Sequence, residues 1–186
     1  MINGSALVFH KPKGIVVTTS DELGRNTVYD LLPEWVRQNQ WVPVGRLDRD
    51  TRGLLLMVKD HSLVDELGRP GRFEKEYEVL VRGHVQPHHL EQISKGVESS
   101  IGLLNCERAS IEGYLGPKTR LHVVLTEGKN RHIRRMFGAL RDDAFGTPLK
   151  VIDLKRIRFG PVQLDISSGQ WRLLSDEELS ALASLR

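Results

Sequence analysis

The segment Gly45–Gly53, which reads GRLDRDTRG, carries the residues best suited to chemistry. Asp48 lies between Arg46 and Arg49, and neighbouring positive charges favour the ionised form of a carboxyl group. An ionised aspartate can act as a nucleophile or a base, but it cannot act as a general acid. A turn held together by salt bridges would use the same residues, and the spacing alone favours that simpler interpretation.

A second segment, Thr126–Met136, reads TEGKNRHIRRM and follows a predicted strand. The sequence predicts a basic helix over Asn130–Leu140, with Asn130 as its N-cap residue. Helix N-termini and arginine side chains both bind phosphate. Ile133 and Met136 are expected to pack inward, which leaves the basic side chains to face outward. This segment is therefore a candidate phosphate-binding site.

Charge along the chain is unevenly distributed, although the net charge is only +3. Residues 117–158 contain 11 Lys or Arg against 4 Asp or Glu, a net of +7, and the remainder has 16 against 20, a net of −4. A segregated positive region is typical of proteins that bind a polyanion. A solvated, salt-bridged face explains the same counts equally well. Lys11-Pro12-Lys13-Gly14 adds two further lysines on a short turn.

Several classes of function lack sequence support. The chain contains no G-x-x-x-x-G-K, G-x-G-x-x-G or G-x-S-x-G motif, so we expect no nucleotide cofactor and no serine hydrolase site. Its single cysteine, Cys106, excludes a disulfide framework and a cysteine-based zinc site. The pair His88-His89 has no carboxylate or cysteine at ligand spacing, so no metal site is predicted. With no signal peptide and no apolar run of about 20 residues, we expect a cytoplasmic protein without membrane contact.

The elements that would position these segments alternate between short strands and helices. The predicted strands are Ala6–His10, Trp41–Leu47, Gly53–Val58, a strand around Tyr77–Val81, Leu121–Leu125 and Val151–Phe159. The predicted helices are Thr27–Gln38 (interrupted at Pro33), His61–Leu67, Pro87–Lys95, Asn130–Leu140 and one that begins after Ser175. Strands outnumber helices and lack regular crossover helices. This pattern favours an α+β fold with a mostly antiparallel sheet, in one domain over residues 1–186.

Taken in order, these segments resemble the motifs of the RsuA-type pseudouridine synthases. Lys11–Gly14 is similar to the first motif, and Gly45–Asp48 with the following Thr51 and Gly53–Leu56 is similar to the second. Lys75-Glu76-Tyr77 resembles the third motif, and Glu127–Met136 resembles the last. Four such segments in register favour a functional Asp48 over a salt-bridged turn.

The resemblance implies a mixed, mostly antiparallel sheet flanked by helices, with a central RNA-binding cleft and no cofactor or metal. It implies Asp48 as the nucleophile, Tyr77 as the residue that packs against the base, and Arg134 as the partner of Asp48. Phosphate or RNA contacts are expected from a set of basic residues: Lys11, Lys13, Arg46, Lys129, Arg131 and Arg135. The implied activity is isomerisation of a uridine to pseudouridine in ribosomal RNA, by a protein that we expect to be a monomer.

The sequence departs from the family pattern in two places that bear on how the RNA substrate would be bound. Only about ten residues precede Lys11, so no N-terminal S4 domain is expected, as in the large-subunit rRNA members of the RluE kind. The stretch Leu140–Leu149 replaces the usual family sequence with a charged turn, which is expected to alter RNA contacts. Two alternatives stay open: a catalytically silent RNA-binding or ribosome-assembly protein of this fold and, more distantly, a metal-dependent RNA hydrolase.

Overall fold

The computed structural model describes residues 6–184, and the chain divides into two compact units. The first unit contains the chain up to Phe73 and from Arg156 onward, and the second runs from Glu74 to Lys155. Strand β9, Lys150–Phe159, contributes residues to both units. The single domain over residues 1–186 stays a prediction.

The first unit is a sheet of short strands in the order β11-β1-β3-β9, with β2 on β3 and β10 on β9. Its strands are β1 (Ala6–Lys11), β2 (Val42–Pro43), β3 (Arg52–Val58), the end of β9, β10 (Val162–Gln163) and β11 (Trp171–Leu173). Its helices are a 3-10 turn (Val28–Asp30), α1 (Glu34–Gln38), α2 (Ser62–Gly68) and α5 (Asp176–Ser184). β1 pairs antiparallel with both β3 and β11.

Both faces of this sheet are buried, which explains the continuous apolar run of β1. Ala6 and Val8 face a cluster that includes Leu179 of α5. Leu7 and Phe9 face the opposite cluster, which includes residues of the 3-10 turn and α1. Successive side chains of a strand point to opposite faces, so a strand covered on both sides has no polar alternation.

The second unit is built on the antiparallel pair β4 (Lys75–Arg82) and β8 (Lys118–Leu125), in the order β9-β4-β8-β7. Its other elements are α3 (Pro87–Lys95), β5 (Val97–Ser99), β6 (Gly102–Leu104), β7 (Arg108–Tyr114) and α4 (His132–Gly138). Alternate residues of β4 enter one core with residues of β8 and α4. This is the α+β, mostly antiparallel architecture that the sequence predicts.

Most predicted elements are confirmed within two or three residues. Trp41–Leu47 is a strand only at β2, because the chain turns at Gly45, where φ is 69°. The helix predicted to start at Asn130 begins two residues later, at His132. The sequence predicts no strand at β5, β6, β7 or β10. Within residues 6–184, no helix is long and apolar enough to cross a membrane.

Candidate active site and RNA-binding segment

The loop that carries Asp48, residues Gly45–Gly53, connects β2 to the start of β3, and we call it the Asp48 loop. Both of its end glycines have positive φ, 69° at Gly45 and 110° at Gly53. The Thr51 backbone N–H donates to the Asp48 carbonyl at 3.0 Å, which closes a tight turn around Asp48. Asp48 itself is half-buried, whereas Arg46 and Arg49 are exposed. The turn therefore fixes the main chain at Asp48.

Lys11, which the sequence predicted to contact RNA, is fully buried beside this loop. Its ammonium donates to the carbonyl oxygens of Ile15 at 2.7 Å, Pro12 at 3.0 Å and Arg49 at 3.4 Å. Burial lowers the pKa of Lys11 to about 8, and the nearby Asp48 and Asp50 carboxylates offset part of that lowering. The structure does not support a phosphate contact by Lys11, because its three donors face the protein interior. Instead, Lys11 helps to position the Asp48 loop through its bond to the Arg49 carbonyl.

The first two motifs also meet through one backbone–backbone hydrogen bond and one side-chain hydrogen bond. The Gly14 N–H donates to the Arg49 carbonyl at 2.8 Å, and Arg49 Nε donates to the Gly14 carbonyl at 3.2 Å. Lys13 and Arg46 are exposed on this side of the first unit. Both side chains are therefore accessible to RNA, as their predicted contacts require.

Tyr77 lies in β4, where it pairs with Val123 of β8. Its ring belongs to the core of the second unit, and only 7% of the residue is exposed. Ile133 and Met136 of α4 belong to the same core, as predicted. A ring fixed in this way is suited to present one edge or face to a substrate rather than to move.

The segment Thr126–Met136, which we call the basic segment, begins its helix later than predicted. Arg131, not Asn130, is the N-cap residue, and its φ of 51° places it in the left-handed region. Arg131 therefore lies outside the helix, whereas Arg134 and Arg135 lie within it. Arg131 is exposed, while Arg134 and Arg135 are half-buried.

Side chains of the basic segment are anchored within the second unit. His132 is buried and its Nε2 lies 2.9 Å from the Asn105 carbonyl oxygen. Burial lowers the pKa of His132, which disfavours the charged form of this imidazole. Arg134 Nη1 donates to the Val151 carbonyl at 3.0 Å. Lys129 Nζ donates to the Leu103 carbonyl at 3.2 Å and pairs with Glu127 at 3.1 Å.

The fold brings a carboxylate to the histidine pair, which sequence spacing did not foresee. Asp143 Oδ1 lies 3.4 Å from His88 Nε2 and 3.5 Å from His89 Nε2. Both ring nitrogens of His89 are already engaged, since Nδ1 accepts from the Gln86 N–H at 2.9 Å and Nε2 lies 2.9 Å from the Arg141 carbonyl. A metal would have to displace the second contact, so this cluster does not fit a ready-made metal site.

The charged turn between Leu140 and Leu149 is organised by Asp142. Its carboxylate accepts backbone N–H groups from His84 at 2.7 Å, Ala144 at 2.9 Å and Phe145 at 3.2 Å. The His84 bond, followed by those from the turn, lowers the pKa of the Asp142 carboxyl group. Asp142 therefore holds the loop internally, and the altered RNA contacts predicted for this turn would come from its exposed residues.

Residues 5–139 match the RNA pseudouridylate synthase family, and the chain belongs to that family. It is 37% identical over 182 residues to ribosomal large subunit pseudouridine synthase B of Vibrio vulnificus (strain CMCP6), covering 96% of this chain and 54% of the relative. The protein of the same name from Haemophilus influenzae is 36% identical, with 96% and 49% covered.

The chain thus spans about half the length of the curated relatives it matches. A solved pseudouridylate synthase superposes with a TM-score of 0.79 at 26% identity, covering 98% of this chain and 75% of that one. An H/ACA ribonucleoprotein bound to a substrate RNA containing 2'-deoxyuridine shares the fold, with a TM-score of 0.62 at 19% identity over 88% of this chain and 50% of that one. The resemblance to the RluE kind is not confirmed.

Proposed function

We propose that this protein isomerises a uridine of large-subunit ribosomal RNA to pseudouridine. The observation that carries the proposal is the family match, whose residues include the Asp48 loop, where the half-buried Asp48 begins a turn closed by a backbone hydrogen bond. The names of the relatives support a large-subunit target. We also propose that the protein acts as a monomer in the cytoplasm.

In the proposed mechanism Asp48 attacks the target ribose, or takes a proton from it, as the glycosidic bond breaks. The freed uracil rotates and rejoins the ribose through C5. Tyr77 packs against the base and helps to remove the C5 proton, and Arg134 pairs with Asp48 to keep it ionised. The target base has to leave its stack to reach these groups, so base flipping is part of the proposal.

The proposal is tested by Asp48→Asn, which keeps the shape of the side chain and removes its charge. Turnover, measured as tritium release from rRNA labelled at uridine C5, should fall by at least about 10³-fold, since no nucleophile or base replaces the carboxylate. The affinity for the same RNA should change by less than about twofold, because the substitution leaves the basic residues in place.

The matched control is Asp50→Asn, an exposed carboxylate of the same loop that should retain turnover. Appreciable tritium release by the Asp48→Asn variant would show that Asp48 is not the reacting group. RNA binding without tritium release by the unaltered protein would instead favour the catalytically silent RNA-binding protein.

A further inference from the structure

A small hairpin beside the basic segment presents apolar side chains outward. β5 and β6 pair in the register Val97↔Leu104, Glu98↔Leu103 and Ser99↔Gly102, and we call Val97–Asn105, which includes the residue after β6, the tip hairpin. Val97 and Leu104 are buried in the core of the second unit. The tip hairpin is therefore anchored on one face and exposed on the other.

The turn of this hairpin is fixed by its own hydrogen bonds. Ser99 Oγ donates to the Gly102 carbonyl at 2.6 Å and accepts the Ile101 N–H at 3.2 Å. Leu103 lies over Gly96, where an added Cβ would come within 2.9 Å of Leu103 Cγ. Even so, Ile101 is 41% exposed and Leu103 is 53% exposed. Two large aliphatic side chains are thus exposed to solvent: Ile101 in the turn, where polar residues are usual, and Leu103 in β6.

The basic segment reaches across to this hairpin at three points. Lys129 Nζ donates to the Leu103 carbonyl, the Arg135 guanidinium donates to Ser100 Oγ, and His132 contacts the Asn105 carbonyl just after β6. These contacts bring Lys129 and Arg135 to the hairpin that carries the exposed aliphatic pair, and Glu98, opposite Leu103, adds one carboxylate. The hairpin therefore combines exposed apolar side chains with bound cationic groups.

We infer that the tip hairpin contacts unpaired bases of the RNA strand whose phosphates the basic segment binds. Cations bind phosphates regardless of sequence, and apolar side chains contact bases that are not stacked in a helix. Single-stranded nucleic acid is commonly bound by this combination of a positive surface with base-contacting side chains. The inference rests on the proposed function for its RNA partner, and it assigns Ile101 and Leu103 as base-contacting residues.

The inference is tested with the double variant Ile101→Ser/Leu103→Ser and with two probes, a single-stranded oligouridylate and a blunt RNA duplex of matched length. Affinity for the single strand should fall by about fivefold, the low end of the range for one base stacked on an aromatic ring, because neither side chain is aromatic. Affinity for the duplex should change by less than about twofold. The salt dependence should be unchanged on both probes, because no charge is removed. The matched control is Leu115→Ser, an equally exposed leucine in the β7–β8 turn, which should leave both affinities unchanged.

The variant Ile101→Phe distinguishes a lost base contact from a loss of affinity caused by misfolding, because it is expected to raise affinity. An aromatic ring at the turn adds a stacking surface, so affinity for the single strand should rise above that of the unaltered protein. Unchanged single-strand affinity in the serine variant, or an equal loss on the duplex, would overturn the inference. If the serine variant instead lost self-association and kept its RNA affinity, the inference would also be overturned, and the surface would be a contact between copies of the chain.

Binding to oligouridylate is measured without turnover, which separates this inference from the proposed function. A protein that forms no pseudouridine but shows the expected pattern would retain the RNA surface and lose only its assigned activity.

Discussion

The Asp48 loop and the basic segment are positioned by different parts of the chain. The Asp48 loop is set by its backbone, through two glycines with positive φ and a turn closed onto the Asp48 carbonyl, with the buried Lys11 ammonium bound to neighbouring carbonyls. The basic segment is set by side chains, since Lys129, His132 and Arg135 reach the tip hairpin.

This difference suits the two proposed tasks. A reacting carboxylate has to be held within a fraction of an ångström, and the turn closed by a backbone hydrogen bond limits the movement of the Asp48 main chain. Phosphate binding tolerates more movement, because the attraction between charges falls slowly with distance. Substitutions should accordingly be more destabilising in the Asp48 loop than in the basic segment.

The largest effect is expected from Gly53→Ala in the Asp48 loop. An added Cβ would lie 2.2 Å from the Arg156 carbonyl oxygen and 2.6 Å from its nitrogen, both rigid backbone atoms, at a φ of 110°. The free energy of unfolding should fall by about 4 kcal/mol or more. Denaturant unfolding measures this change.

Two other glycines serve as controls for Gly53. Gly45 has a φ of 69° but no atom within 4 Å of an added Cβ, so Gly45→Ala should cost only about 1–2 kcal/mol. Gly128, in the basic segment, has neither a positive φ nor an atom within 4 Å of an added Cβ. Gly128→Ala should therefore be neutral or stabilising by up to about 1 kcal/mol. Equal losses at Gly53 and Gly128 would break the contrast between the two regions.

The second largest effect is expected from Lys11→Met, which removes the buried ammonium and leaves carbonyl groups without their donor. The free energy of unfolding at neutral pH should fall by about 1–3 kcal/mol. Lys129→Met, at an exposed position of the basic segment, should change it by less than about 0.5 kcal/mol. A loss at Lys129 as large as that at Lys11 would contradict the buried role of Lys11.

The Lys11 pKa adds a pH dependence to the same comparison. The pKa is lowered from 10.5 to about 8 in the folded protein, so between these values the unfolded chain binds more protons. Stability due to this group therefore rises with pH across that window. The unaltered protein should gain stability relative to Lys11→Met between about pH 8 and 10.5, and a difference that stays constant would show that Lys11 is not buried as a cation.

The sequence predicted the α+β fold and most elements, because their apolar periodicity and turn residues act locally. It could not predict that Lys11 is buried, since the carbonyls that bind its ammonium are brought together only by folding. The predicted start of α4 was too early, because Asn130 is a good N-cap by residue type, yet the left-handed Arg131 takes that position. The short tip hairpin was missed, although Gly102 after Ser100-Ile101 is a recognisable turn signal. The proximity of Asp143 to His88 depends on contacts distant in sequence.

The smallest effect is expected at two arginines of the basic segment that the sequence treated alike. Arg131 is exposed, so Arg131→Ala should remove one phosphate contact and flatten the salt dependence of single-strand binding by about 0.7 in the log–log slope. Arg135 donates to Ser100 Oγ and to Asn130 Oδ1 at 3.1 Å, so Arg135→Ala should also lower the free energy of unfolding, by about 1 kcal/mol.

Salt-titrated binding and denaturant unfolding of both variants measure the difference. Turnover at saturating RNA should be retained by Arg131→Ala, because a contact made equally in the ground and transition states does not lower the chemical barrier. If the two variants lose the same slope and neither loses stability, Arg135 is a second phosphate ligand without a structural role. The basic segment would then owe its position to Lys129 and His132 alone among the side chains that reach the tip hairpin in the described part of the chain.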